Sequence, residues 1–88
     1  MKTEFKSSFA RDLRTIRDRN LLARIQAVIE TVEQAEALQD IANLSKLQGG
    51  DNFYRIRVGD YRVGIVIESD TVIFVRCLNR REIYRYFP

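Results

Sequence analysis

Two strand-like runs meet at a two-residue bend, Gly59-Asp60, and no other feature constrains this chain as tightly. Residues 52–58 (Asn-Phe-Tyr-Arg-Ile-Arg-Val) and 61–67 (Tyr-Arg-Val-Gly-Ile-Val-Ile) are rich in β-branched and aromatic types, the composition of strands. Glycine supplies the positive φ that a two-residue hairpin loop requires. The loop fixes a register in which Val58 faces Tyr61, Arg57 faces Arg62, Ile56 faces Val63, Arg55 faces Gly64 and Tyr54 faces Ile65. Opposed residues share a face, and faces alternate along each strand. Tyr54, Ile56, Val63 and Ile65 therefore form one apolar surface. Arg55, Arg57 and Arg62 emerge together on the other, and Gly64 leaves a gap beside Arg55 where a ligand backbone can approach.

Around this hairpin the pattern is mixed. Ser69-Asp70 marks a turn into a further strand over residues 71–78, while residues 2–6 are short enough to serve only as an edge strand. Ser7 and Ser8 offer helix-capping oxygens, and Phe9, Leu13 and Ile16 come next at helical spacing. After Asn20, a stronger helix is expected from Leu21 to Ala35 on Leu22, Ile25, Ile29 and Val32. Leu38, Ile41, Leu44 and Leu47 suggest one more apolar turn or short helix before Gly49-Gly50. The expectation is an α+β fold: an N-terminal helical hairpin packed on one face of a three- to four-stranded antiparallel sheet. With 88 residues and no linker or repeat, a single domain spans 1–88.

Composition narrows the chemistry. There is no His and one Cys, Cys77, so neither a zinc site, a Cys-His pair nor an intramolecular disulfide is available. No run is long enough to span a membrane, and no signal peptide is visible, so a soluble cytoplasmic protein is expected. Net charge is only +3, but 12 of the 15 basic residues are Arg. Arginine's planar, permanently charged fork suits phosphate oxygens.

Like charges directly across a strand pair repel, so Arg57 against Arg62 costs stability unless an anion offsets it. Solvated arginines splaying apart would also satisfy this pattern; three of them on one face beside a glycine favour an anion site. The C-terminal segment adds Arg76, Arg80, Arg81 and Arg85 against one acid, Glu82. Arg80 and Tyr84 are four apart, so a helical turn would stack them. Arginines interleaved with tyrosines suit RNA, guanidinium on phosphate and phenol ring against a base. Ile83 and Phe87 read as packing residues; Tyr84 fits either role. Arg11, Arg14 and Arg17, with Asp12 and Asp18 among them, read as an exposed solvated helix face. Cys77 reads as a small strand residue with no base to activate it.

Tyr54-Arg-Ile-Arg-Val-Gly-Asp-Tyr-Arg-Val63, the strand containing Val72-Ile-Phe-Val75, and Arg80-Arg-Glu-Ile-Tyr84 together resemble the RelE/ParE superfamily of toxins. The likeness extends over nearly the whole chain. It implies a toxin of a type II toxin-antitoxin pair, with a cognate antitoxin as partner. In the RelE branch, it implies a metal- and cofactor-independent endoribonuclease that cuts mRNA in the ribosomal A site. There the ribose 2′-hydroxyl attacks the adjacent phosphate. The family's catalytic positions fall on Arg55, Arg57, Arg62, Arg80 and Tyr84. RNA-binding residues would be these five together with Arg76, Arg81 and Arg85.

Two departures from that pattern matter. Relatives with a proton-abstracting lysine in the first hairpin strand have no counterpart here, because both positions are Arg, which does not deprotonate. Where many relatives carry His before the post-strand arginine, this chain has Asn79. Tyr84, Glu82 or a ribosomal group is left as general base. The alternative is a ParE-like toxin that poisons DNA gyrase without RNA chemistry; a third reading is a domain that only binds its antitoxin. Val66, Ile73 and Val75 hint at a covered patch on the arginine side, which an antitoxin or the chain's own tail would fill.

Overall fold

A computed structural model describes all 88 residues. The chain runs β1 (Lys2–Phe5), α1 (Ser7–Arg14), α2 (Arg19–Gln34), a 3-10 turn (Leu38–Asp40), β2 (Leu44–Lys46), β3 (Phe53–Val58), β4 (Tyr61–Glu68), β5 (Thr71–Asn79) and α3 (Ile83–Tyr86). The sheet has five strands in the order β1-β5-β4-β3-β2.

The central hairpin adopts the register its loop dictates. Val58 pairs with Tyr61, Arg57 with Arg62, Ile56 with Val63, Arg55 with Gly64 and Tyr54 with Ile65. Gly59 sits at φ 59°, the left-handed conformation that side-chain-bearing residues rarely adopt. Ile56, Val58, Val63 and Ile65 are buried on the helix-covered face, with Val72, Phe74 and Cys77 continuing that face across β5. From above, Phe9 of α1 and Leu21, Ile25 and Val32 of α2 complete the core.

The expected sheet is corrected in two respects. It has five strands, not three or four, and it is mixed, because β1 lies parallel to β5 with Lys2 against Thr71 and Phe5 against Phe74. β2 arises where a helical turn was expected. Leu38 and Ile41 do belong to a tight turn, but the chain then extends and Leu44 pairs with Ile56. A spacing of three is compatible with a 3-10 turn and does not constrain the residues beyond it.

The N-terminal helices do not form a helical hairpin. A strand precedes them, and α1 packs chiefly along β5 while α2 packs against β1 and β3. The helix start also differs from expectation. Lys6 occupies the N-cap without a side-chain bond, and Ser8 Oγ donates instead to the Val75 carbonyl. For α2 the cap is Asp18, whose Oδ1 accepts from Asn20 N (2.9 Å) and Leu21 N (3.1 Å). Asn20 lies inside the helix.

β1 covers only the first part of β5, and α1 seals the rest of that edge with side chains. Ser8 takes the Val75 carbonyl, and the Asp12 carboxylate accepts the Cys77 N–H at 2.9 Å. An unpaired strand edge is thereby closed without another strand. No helix is long and apolar enough to cross a membrane.

Candidate nucleic-acid interface

The arginine-bearing face is built row by row from the strand register. One row is Arg57 and Arg62, joined by Leu78 of β5; the next is Ser45, Arg55, Gly64 and Arg76. Further along, Phe53, Val66 and Ile73 form an apolar row. A bulge between Gly64 and Ile65 shifts the β4–β5 register and leaves Val75 unpaired.

The C-terminal segment folds back over this face. Phe87 is buried and presses on Gly64 so closely that a Cβ there would lie 2.7–3.0 Å from the ring. Phe53 meets the same ring edge-on at 5.7 Å. The gap expected beside Arg55 is therefore filled by the chain's own tail, and no ligand backbone can enter it. Ile83 is fully buried, in line with its reading as a packing residue. Thus the half-buried Val66, Ile73 and Val75 lie on the side of the sheet that the tail covers, at least in part.

What remains open lies toward the hairpin tip. Arg57 is exposed, Arg55 and Arg62 are half-buried, and none of the three has a carboxylate partner. Arg62 is held at the bend, its Nη1 donating to the Gly59 and Tyr61 carbonyls at 2.9 Å each. Its other guanidinium donors are free. Arg80 joins this end through its backbone, whose N–H donates to the Asp60 carbonyl at 2.7 Å. Its Nε stands 4.0 Å from Asp60 Oδ1, an exposed contact worth little.

Arg80 and Tyr84 do not share a helical face. Residues 79–82 form a turn closed by Glu82 N to the Asn79 carbonyl at 2.8 Å, and α3 begins only at Ile83. Tyr84 is 57% exposed, free to meet a partner. Arg81 is exposed, with its backbone N–H on Asn79 Oδ1; exposed Arg85 stands 3.9 Å from Glu82. Glu82 is half-buried.

Arg76 has another employment. Its Nε and Nη2 grip the two oxygens of Asp12 at 2.8 and 3.1 Å, and its guanidinium lies 5.3 Å from the centre of the Tyr86 ring. The hydrogen bond it donates to Asp12 raises the guanidinium's pKa above its ordinary value. Asp12 itself is buried, which corrects its reading as part of a solvated helix face. Asp12 lies three residues after Phe9 and just before Leu13, on the apolar stripe of α1, and that position was the available signal. Burial, reinforced by Asp12, pushes the Cys77 thiol up to about 12, so Cys77 has no nucleophilic thiolate near neutrality.

No group of three or more His, Cys, Asp or Glu side chains is placed to hold a metal ion. The arrangement offers fixed positive charge on an open surface, with two exposed phenols nearby in sequence, Tyr84 and the Tyr86 that stacks on Arg76.

Comparison with known proteins gives a consistent outcome. The family described as ParE toxin of type II toxin-antitoxin systems matches residues 3–84. Toxin RelE3 of Methanocaldococcus jannaschii is 42% identical over all of both chains. Putative toxin RelE1 of the same organism is 30% identical, over 90% of this chain and 88% of its own length. Among solved structures, the RelB-RelE antitoxin-toxin complex from Methanococcus jannaschii superposes with a TM-score of 0.81 at 39% identity, covering 97% of this chain and 99% of that one. The archaeal RelE-RelB complex from Pyrococcus horikoshii shares the fold, with a TM-score of 0.73 at 17% identity over 93% and 97% of the two chains.

Proposed function

This chain belongs to the RelE/ParE family of type II toxin-antitoxin toxins, and from that premise we infer that it is an endoribonuclease that cuts messenger RNA at the ribosome. The observation that carries the reading is the directly opposed, unpaired pair Arg57 and Arg62, with Arg55 beside them and Arg80 at the same end of the sheet. Repulsion within such a group is offset by a phosphate, and most of all by one gaining charge.

In the proposed reaction the ribose 2′-oxygen attacks the adjacent phosphorus and the 5′-oxygen of the next nucleotide leaves. The products are a 2′,3′-cyclic phosphate and a free 5′-hydroxyl. Negative charge builds on the non-bridging oxygens in the transition state. Guanidinium groups fixed before the substrate arrives stabilise that charge without reorganising. Arg62 is the best fixed of them, tied to two carbonyls of the bend. Arg55, Arg57 and Arg80 complete the clamp; Arg81 and Arg85 contact flanking phosphates. Tyr84 either stacks on a base or exchanges a proton with the substrate. Arg76, engaged by Asp12 and Tyr86, supports the tail and leaves phosphate binding to the others.

The partner in the resting state is a cognate antitoxin, as the RelB-RelE complexes suggest. Acidic side chains of such a protein would occupy the arginine face. The test is a translation extract supplied with message and ribosomes. Specific cleavage supports the nuclease. Intact message with trapped gyrase-DNA complexes would support the ParE-like alternative. Growth arrest on expression, relieved by the antitoxin, separates either from an inert binding domain.

A further inference from the structure

The bend at Gly59-Asp60 has a second side, and a groove runs around it. On the helix-covered face, Tyr61 and Asn79 are cross-strand partners at the open end of the sheet. There α2 brings Arg24 down onto the bend: a Cβ on Gly59 would stand 2.9 Å from its Nη1. Arg24 is exposed and has no carboxylate partner. Between these residues, Asn20 and the α2 cap Asp18 lies a pocket of about 330 Å³. A second pocket, also about 330 Å³, is lined by Arg80, Arg81 and Glu82. Asp60 and Asn79 line both, so the two adjoin.

We propose that this groove is a nucleotide subsite: the RNA strand leaving the Arg57/Arg62/Arg80 clamp wraps the hairpin tip and seats its next nucleotide against Arg24. The inference rests on the nuclease reading for its ligand and on the groove's own chemistry for its place. Arg24 supplies a free guanidinium for the phosphate. Asn79 Oδ1 already accepts the Arg81 N–H, so its amide nitrogen is left to donate to a base edge. Two carboxylates line the pocket, Asp60 and the α2 cap Asp18; both repel phosphate, which leaves Arg24 as its seat, and Asp60 accepts from a base amino or imino group. Tyr61, half-buried at the rim, gives the base an aromatic neighbour.

The experiment measures affinity for a short single-stranded RNA oligonucleotide across a range of salt concentrations, with no ribosome and no cleavage. Each phosphate neutralised contributes about 0.7 to the slope of log affinity against log salt for a single strand. Arg24→Ala is expected to weaken binding about tenfold and lower the slope by about that amount, and Arg24→Lys to restore the slope. Asn79→Asp keeps the acceptor for Arg81 and adds negative charge to the groove, so it too weakens binding. Wild-type affinity in both variants overturns the proposal. So does weaker binding of Arg24→Ala with an unchanged slope, since a disturbed fold would do the same. A protein that cleaves message while both variants bind as wild type loses only this subsite. One that never cleaves but shows the Arg24-dependent slope loses only the nuclease reading.

Discussion

Asp12 reaches from α1 across the edge of β5 to hold Arg76 at 2.8 and 3.1 Å, and Arg76 in turn lies under Tyr86 of α3. One carboxylate therefore ties the first helix, the last strand and the C-terminal helix together. It accepts the Cys77 N–H as well, so its removal leaves three N–H donors of the strand, two of Arg76 and one of Cys77, without partners. Asp12→Ala is expected to destabilise the protein by about 3 kcal/mol, the scale for breaking a largely buried pair from one side. Urea unfolding measures this. A loss below about 0.5 kcal/mol, the level of an ordinary surface change, would contradict the assignment.

Gly64 and Phe87 are coupled by contact. Adding a methyl group at Gly64 drives it into the Phe87 ring, and neither β4 nor the tail can yield without losing packing. Gly64→Ala is expected to cost about 2 kcal/mol alone and little in a Phe87→Ala background. A double-mutant cycle reads the difference directly. Equal costs in the two backgrounds would mean that the tail does not sit on this glycine.

The opposed arginines predict a trade between stability and activity. The Arg57 side chain makes no hydrogen bond and no ion pair, while that of Arg62 anchors the bend. Arg57→Gln should leave the fold equally stable or stabilise it by about 0.3 kcal/mol, the gain shrinking in salt. Its cleavage activity should fall by at least tenfold. A variant both less stable and fully active would reverse the interpretation.

Cys77 predicts a pH dependence. Its folded-state pKa of about 12 lies above the ordinary value of 9.0. Between those two values the native chain holds a proton that the unfolded chain has released. The contribution is therefore complete below pH 9 and declines as pH rises, by about 1.4 kcal/mol at pH 10. Compared by urea unfolding at pH 8 and pH 10, wild type should lose that much more than Cys77→Ala. Parallel losses would show that the thiol is not buried as described.

Local and long-range information differed in how well the sequence revealed them. The β3–β4 register was readable because a two-residue bend leaves one pairing, and alternation then assigns every side chain to a face. The arginine cluster came directly from it. β1 was visible only as a short edge candidate, since its parallel partner lies at the far end of the chain and no local signal joins Phe5 to Phe74. The filling of the Gly64 gap was hidden for a similar reason: Phe87 is distant in sequence, and a glycine beside an arginine looks the same whether a ligand or the chain occupies the space. Arg24 was overlooked because one arginine on a helix is ordinary; only its seat on Gly59 sets it apart.

Tyr84 separates two chemistries at one position. Tyr84→Phe removes the hydroxyl and keeps the ring. If the phenol exchanges a proton, cleavage falls about a hundredfold or more and the pH-rate profile loses one limb. With stacking alone, Tyr84→Phe cuts as wild type and only Tyr84→Ala is impaired.

Guanidinium groups at the hairpin tip carry the proposed chemistry, and single-turnover cleavage of ribosome-bound message tests them most directly. Arg62→Ala and Arg80→Ala, shown by unfolding curves to be folded, are each predicted to slow cleavage about 10²–10³-fold. The wild-type products should carry a 2′,3′-cyclic phosphate and a 5′-hydroxyl. Cleavage by both variants at the wild-type rate would contradict this role, because the charge at the bend would then do nothing for the reaction.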